Sequence, residues 1–413
     1  MKICIVGAGL SGLVSAYMLA KECDVEVYES AGTLGGCLSS YNNNGYSLER
    51  FYHHFFDGDK SLFDLFKDLG LSGDVEWYEG KTAYYADNRV FPLNTPWEIL
   101  RYPYISCIDI FRLGLLMIKS KKVDYRDFDD IPAKEYIINM CGTNLYQSFF
   151  EPLLKSKFGN MRDQVSAAWL LGRIAIRSNR GISGERLGYL KGGFQSLVEK
   201  LQTGIEESGG IIHLNTPVKH VDQYDSGSCV VNGRRYDALI STVAPRVLPD
   251  IYGGNAKTIP YQGAVCMTLG LDHDIGNGQY WINMKDDAPY GAVICHTNFV
   301  PYERYGEHIV YLASYFSGSL PDGYGDMMIS DFCRRFDVPV DSVKWQKLAV
   351  EQFAGPVYIC GYRKMIPDYS NEGIYLSGMF SEYNYPERSM EGSVASGFEV
   401  ARRIKAVMNV EDS

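Results

Sequence analysis

The sequence predicts an α/β protein: a discontinuous nucleotide-binding domain carries a second, α+β domain built from two inserts. Three observations predict it. Strand and helix patterns alternate at the start of the chain, with a glycine-rich turn between them. The same punctuation returns after residue 186 and again near the C-terminus. Of the stretches between, the first lacks it and is richer in helical patterns, and the second holds alternating strand-like runs. The expected division gives 1–80, 186–250 and 351–413 to the nucleotide-binding domain, and 81–185 and 251–350 to the second domain.

Lys2–Val6 reads as a short buried strand, Leu10–Glu22 as a helix and Val25–Glu29 as a second strand, the order of a βαβ unit. Lys2 and the apolar run after it mimic a secretory leader. Three glycines at fixed spacing interrupt that run and no clear cleavage site follows, so the leader reading is rejected. Ser61–Leu69 is a short amphipathic helix, and Tyr84–Leu93 a hairpin about Asp87-Asn88. Ile108–Lys122 is an apolar helix interrupted by Asp109 and Arg112. Gly192-Gly193 precede a helix at Gln195–Glu206, and Gly209-Gly210 lead into strand Ile211–Leu214. Asn232-Gly233 is the signal of a type I′ hairpin, followed by buried strand Ala238–Thr242. Strand-like runs follow at Ala264–Leu271, Gly291–His296 and His308–Tyr315; Ile374–Ser377 and a helix at Ser393–Met408 close the chain.

A chain of 413 residues suits two or three domains at roughly 150 residues each. With 46% apolar and 22% charged residues, disordered and fibrous classes are excluded. Fifty acidic against 40 basic residues leave no extended basic surface, so nucleic acid is not a partner. The ten cysteines form no C-x-x-C pair, which argues against a disulfide framework or zinc site and for free thiols in a cytoplasmic setting. No run of 18 apolar residues predicts a transmembrane segment. Ile108–Lys122 is expected to pack inside the second domain, with peripheral membrane contact as the alternative. His53 and His54 are adjacent, so on a strand they point to opposite faces and cannot chelate a metal together.

Gly7-Ala8-Gly9-Leu10-Ser11-Gly12 fits G-x-G-x-x-G, follows a strand, opens a helix and precedes the acidic Glu29. Each part has a task in a Rossmann-like site. Gly7 permits the tight turn, and Gly9 lets backbone N–H groups approach a pyrophosphate at the helix N-terminus. Gly12 allows close packing of helix on strand, and Glu29 accepts from a ribose hydroxyl.

A second glycine pair, Gly35-Gly36, resembles the extended FAD signature of flavoprotein oxidases. The segment from Gly192-Gly193 to Val218 resembles the one that sets a valine beside the adenine. Asp237–Pro245, with Thr242, resembles the strand running toward the flavin, and Glu151–Gly159 resembles the substrate-domain segment of protoporphyrinogen-oxidase-like proteins. Gly373–Gly397, with Gly378 and Met390, resembles the C-terminal flavin motif. The chain thus resembles the FAD-dependent amine oxidase and protoporphyrinogen oxidase superfamily over nearly its whole length. It departs at Cys37, where many members carry Arg, and at Met379, where many carry Asp. The segments at Phe51–Phe56 and Gly378–Tyr385 show a weaker similarity to UDP-galactopyranose mutases.

The resemblance implies non-covalent FAD and an oxidoreductase in which flavin N5 takes a hydride from a small-molecule substrate, with oxygen or another electron acceptor. The alternative is a mutase-like enzyme acting on a sugar nucleotide. A cofactor-free binding protein of the Rab escort kind has no use for the intact fingerprint. His53, His54, Tyr383 and Tyr385 are the residues it sets near the chemistry. Arg173, Arg177 and Arg180 share one face if Ala167–Ser178 is helical, which suits a carboxylate- or phosphate-bearing substrate; structural ion pairs or a solvated face are the other reading. A homodimer is left open.

Overall fold

The computed structural model describes residues 1–177, 185–223, 228–247, 259–368, 370–371 and 374–411. Ile3, Cys4, Ile5 and Val6 are all buried, so strand Lys2–Val6 has no solvent face and takes a central place in a parallel sheet. The order across this sheet is Ser370–Asn371, Ile374–Leu376, Ala238–Ser241, Lys2–Val6, Asp24–Tyr28, Ile211–His213, with only the first pair antiparallel. Its strands come from three separated stretches of chain, as the glycine punctuation predicts. Helices Leu10–Leu19, Gln195–Glu207 and Met390–Glu411 pack together on one face. The ribbon Val221–Gln223, Cys229–Val231 and Arg234–Tyr236 covers apolar residues of the other. Asn232 and Gly233 both take positive φ, 48° and 78°, at the expected I′ turn.

A seven-stranded sheet carries the other side of the molecule, in the order Val343–Pro356, Tyr261–Leu271, His308–Phe316, Ala292–Cys295, Trp281–Met284, Thr82–Ala86, Arg89–Pro92. The two inserts join where Trp281–Met284 runs parallel to Thr82–Ala86, every other pair being antiparallel. Along Tyr261–Leu271 the side chains alternate: Val265, Met267 and Leu269 pack toward helix Tyr324–Phe336, while Cys266 belongs to the core shared with the first sheet. One boundary moves. The expected start of the last nucleotide-domain segment, 351, falls inside strand Val343–Pro356, which pairs with Tyr261–Leu271 to its end. A further pair, Val75–Glu79 with Arg186–Leu190, ties the expected nucleotide-domain segments 1–80 and 186–250 to each other.

Helix Cys107–Ser120 packs on helices Ala133–Cys141 and Ala167–Arg177. Asp109 and Arg112, which interrupt its apolar run, are the residues that tie it down. Asp109 is buried, completes a capping box with Ser106 and accepts from Asn144 Nδ2 at 2.6 Å. Arg112 donates to the Cys141 carbonyl at 3.2 Å. Ile110, Leu113 and Leu116 pack inward, but Ile108, Phe111 and Ile118 are 63%, 68% and 58% exposed. Among the described residues no helix is long and apolar enough to cross a membrane.

Candidate active site

Between the two sheets lies a cavity of about 1110 Å³, bordered at one end by the glycine turns and at the other by aromatic side chains of the second sheet. At the glycine end the backbone does the work. Gly7 has φ +99°, and a Cβ there would meet Thr242 Oγ1 at 2.4 Å. A Cβ on Gly12 would lie 2.0 Å from the Gly7 carbonyl oxygen, so helix Leu10–Leu19 can close on strand Lys2–Val6 only with glycine there. The Thr242 hydroxyl donates to the carbonyls of Val6 and Gly7 at 3.0 and 3.2 Å, fixing the same turn. Gly9 begins the helix without a side-chain cap, and Gly9, Leu10 and Ser11 border the cavity. Gly35 donates to the Ala8 carbonyl at 2.9 Å, and Gly36 stacks on Gly9 so closely that a Cβ would lie 3.2 Å from its Cα.

Around this turn stand the other expected contacts. Glu29 accepts from the Ala8 and Ala31 amides, each at 2.8 Å, holding its carboxylate beside the turn at the end of the second strand. Val218 and Met390 are buried in the cavity wall. Gly378, at φ +133°, donates to Ser396 Oγ at 3.2 Å and lies under the Thr242 carbonyl. An uncapped helix start, a side-chain-free surface at Gly9 and Gly36, and a carboxylate one strand over suit a dinucleotide's pyrophosphate and ribose. The residues present fit FAD.

The other end is a chamber. Ala264, Cys266, Ala292 and Ala313, small residues on adjoining strands of the sheet, form its floor, and Tyr52, Tyr261, Trp281, Tyr315 and Phe353 stand around it. Tyr52 meets Trp281 edge-on, centroids 4.8 Å apart. His53 borders it with Nδ1 2.7 Å from the Phe51 carbonyl; a carbonyl only accepts, so Nδ1 carries the proton and Nε2 is an acceptor. Burial, helped by the nearby Arg388 charge, lowers His53 to about 4, which keeps it neutral at physiological pH. His54 also borders the cavity, its ring packed near Tyr280 and Phe299. Tyr383 is half exposed at the rim. The Tyr385 hydroxyl donates to Asp129 at 2.7 Å, so that tyrosine is engaged in holding its loop.

One charged cluster joins residues too far apart in the chain to leave a local sequence pattern. Glu387 accepts from Lys157 Nζ at 2.5 Å and from Trp169 Nε1, with Arg173 Nη1 at 3.5 Å. Burial pushes Lys157 down to about 7 against the pull of Glu387. Burial alone would raise Glu387, but Lys157 and Arg173 outweigh it and hold the carboxyl below its ordinary value. Of the three candidate arginines, Arg173 borders the cavity, Arg177 ends helix Ala167–Arg177, and Arg180 lies outside the described residues. Lys157 sits in the segment that the resemblance marks, but its partner lies 230 residues away. Among the described residues no group of three or more His, Cys, Asp or Glu is placed to hold a metal.

The family description "Flavin containing amine oxidoreductase" matches residues 10–405. The chain belongs to that family. This flavin amine oxidoreductase takes FAD as its cofactor and is an FAD-dependent oxidoreductase by family, as the glycine turns imply. It is 24% identical over 296 residues to coproporphyrinogen III oxidase of Staphylococcus aureus, a match covering 63% of this chain but only 60% of that enzyme. It is 23% identical to 15-cis-phytoene desaturase of Glycine max, over 98% of this chain and 79% of the relative. In fold it is similar to the crystal structure of reduced UDP-galactopyranose mutase, with TM-score 0.75, 18% identity and coverage of 98% and 96%.

Proposed function

We propose that this flavoenzyme oxidises a small anionic substrate in the aromatic chamber and passes the electrons to oxygen or another acceptor. The observation that carries the reading is the continuous cavity, from the bare surface of Gly9 and Gly36 to the chamber beside neutral His53. FAD, when bound, supplies a two-electron acceptor. The chain supplies the rest. Tyr52 and Trp281 orient the substrate, the apolar floor excludes water, and His53 Nε2 is the site able to accept a proton. The FAD is held without a covalent bond: Cys37, in the glycine loop, is half-buried at the cavity edge, and desolvation pushes its thiol up to about 12, a poor nucleophile.

The mutase alternative draws on the fold likeness to reduced UDP-galactopyranose mutase. Anaerobic mixing with coproporphyrinogen III and with a panel of amines and other acids tests the two readings. Oxidase chemistry bleaches the oxidised flavin without added reductant, and air restores it. A protein that no oxidisable substrate bleaches, but that interconverts UDP-galactose isomers after dithionite reduction, is a mutase and the proposal fails.

The outward apolar face of helix Cys107–Ser120 supports a second role, docking on an anionic lipid surface, with Lys121 and Lys122 exposed at its C-terminal end. The protein should float with phosphatidylserine vesicles, and Phe111→Glu with Ile118→Glu should abolish flotation. Equal flotation of both proteins would refute the role of this face.

A further inference from the structure

Arg388 borders the chamber, next in sequence to Glu387 but with a different environment. The Glu387 carboxylate is taken by Lys157, Trp169 and Arg173. The Arg388 guanidinium has no such match. Its Nη1 is buried without a hydrogen-bond partner, and among the described residues it forms no ion pair. Nη2 reaches only the Tyr315 hydroxyl, at 3.4 Å, and the guanidinium lies over the Tyr315 ring at 5.6 Å. Room is kept for it: a Cβ on Gly355 would meet Nη1 at 2.1 Å. Glu387 attracts the guanidinium through space, but a buried N–H left without an acceptor still costs stability, so the free Nη1 calls for a ligand.

We propose that Arg388 is the substrate-anchoring residue of the chamber and binds a carboxylate of the substrate through its guanidinium fork. The inference rests on the oxidase reading only in taking the chamber as the substrate site. A carboxylate fits better than a phosphate for two reasons. The free guanidinium edge offers a single positive charge to the chamber, which a monoanion matches. The planar fork also meets a planar carboxylate with two parallel hydrogen bonds. The anchor thereby shifts from Arg173, already paired with Glu387, to a residue beside His53.

Benzoate, with its neutral isostere benzamide, is the probe, since the chamber is aromatic-walled. Binding is read on the holoenzyme by perturbation of flavin absorbance and by calorimetry. Wild type should bind benzoate at least tenfold more tightly than benzamide. Arg388→Met should remove that preference, leaving benzamide affinity and flavin content unchanged, and Arg388→Lys should restore part of it. Gly355→Ala keeps the charge but pushes the far end of the side chain aside; it should weaken benzoate alone, and it covers the case in which Arg388→Met does not fold. Equal affinity of wild type for the two probes, or of Gly355→Ala and wild type for benzoate, overturns the proposal. So does loss of flavin from Arg388→Met, which would assign the guanidinium to the cofactor. If the protein bound no flavin, the oxidase reading would fall, while calorimetry on the same protein would still decide whether Arg388 selects a carboxylate.

Discussion

Gly9→Val should leave the protein folded and free of flavin, whereas Gly12→Val should fail to fold stably. The two glycines belong to one motif, but the structure separates their tasks. Gly9 sits at φ −69°, a conformation open to any residue, and a Cβ there meets nothing within 4 Å. That space suits a pyrophosphate lying against bare backbone at the helix start, as proposed above. A valine Cβ would enter it without meeting a protein atom. At Gly12 the added Cβ meets backbone, the Gly7 carbonyl oxygen at 2.0 Å, and no rotamer relieves it. Helix and central strand must part, at a cost of about 3 kcal/mol or more. Flavin released by acid precipitation and thermal unfolding followed by circular dichroism check both. The proper reference is wild type stripped of flavin, because a tightly bound cofactor itself raises the melting temperature. A Gly9→Val protein that keeps stoichiometric flavin would show that the cofactor lies elsewhere in the cavity.

What was legible in the sequence was local. The run Ile3–Val6 is apolar at every position, as a two-face-buried strand requires, and Asn232-Gly233 dictates its turn by backbone sterics alone. The FAD turn is legible for the same reason: its demands fall on a few consecutive residues. The second sheet was legible only where its strands are apolar. Strand Val343–Pro356 stands at the sheet edge, and Lys344, Gln346, Lys347 and Gln352 dilute its pattern, a common feature of edge strands. Trp281–Met284 is four residues long and owes its place to Thr82–Ala86, about 200 residues earlier. The chamber floor left a faint signal, small residues alternating with large ones at Ala264 and Cys266, which gains meaning only once Ala292 and Ala313 come alongside. The opposite roles of Glu387 and Arg388 were out of reach. They depend on Lys157, Trp169 and Gly355, which only tertiary structure brings near.

Glu387→Ala should be among the most destabilising single substitutions outside the hydrophobic core. The Glu387 and Lys157 side chains are only 14% and 12% exposed, and the carboxylate also serves Trp169 Nε1 and faces Arg173. Removing one member of a buried pair leaves the other charge desolvated, at a cost of about 3–5 kcal/mol. Glu387→Gln is the finer probe, since its amide oxygen can still accept from Trp169 and its size is unchanged. It deprives Lys157 of the partner that raises its pKa, so the folded-state value falls below about 7, while the unfolded value stays near 10.4. A lysine depressed in the folded state gives stability that is full above the unfolded pKa and is lost as pH falls through the folded one. Wild type and Glu387→Gln should therefore differ least near pH 9 and increasingly below pH 7. Combining Glu387→Gln with Lys157→Met should recover much of the loss at neutral pH, because no buried ammonium then remains to be protonated. Urea unfolding at several pH values measures all three proteins. A deficit independent of pH, or a double variant no more stable than Glu387→Gln alone, would mean that Lys157 is not the charge that Glu387 holds in place.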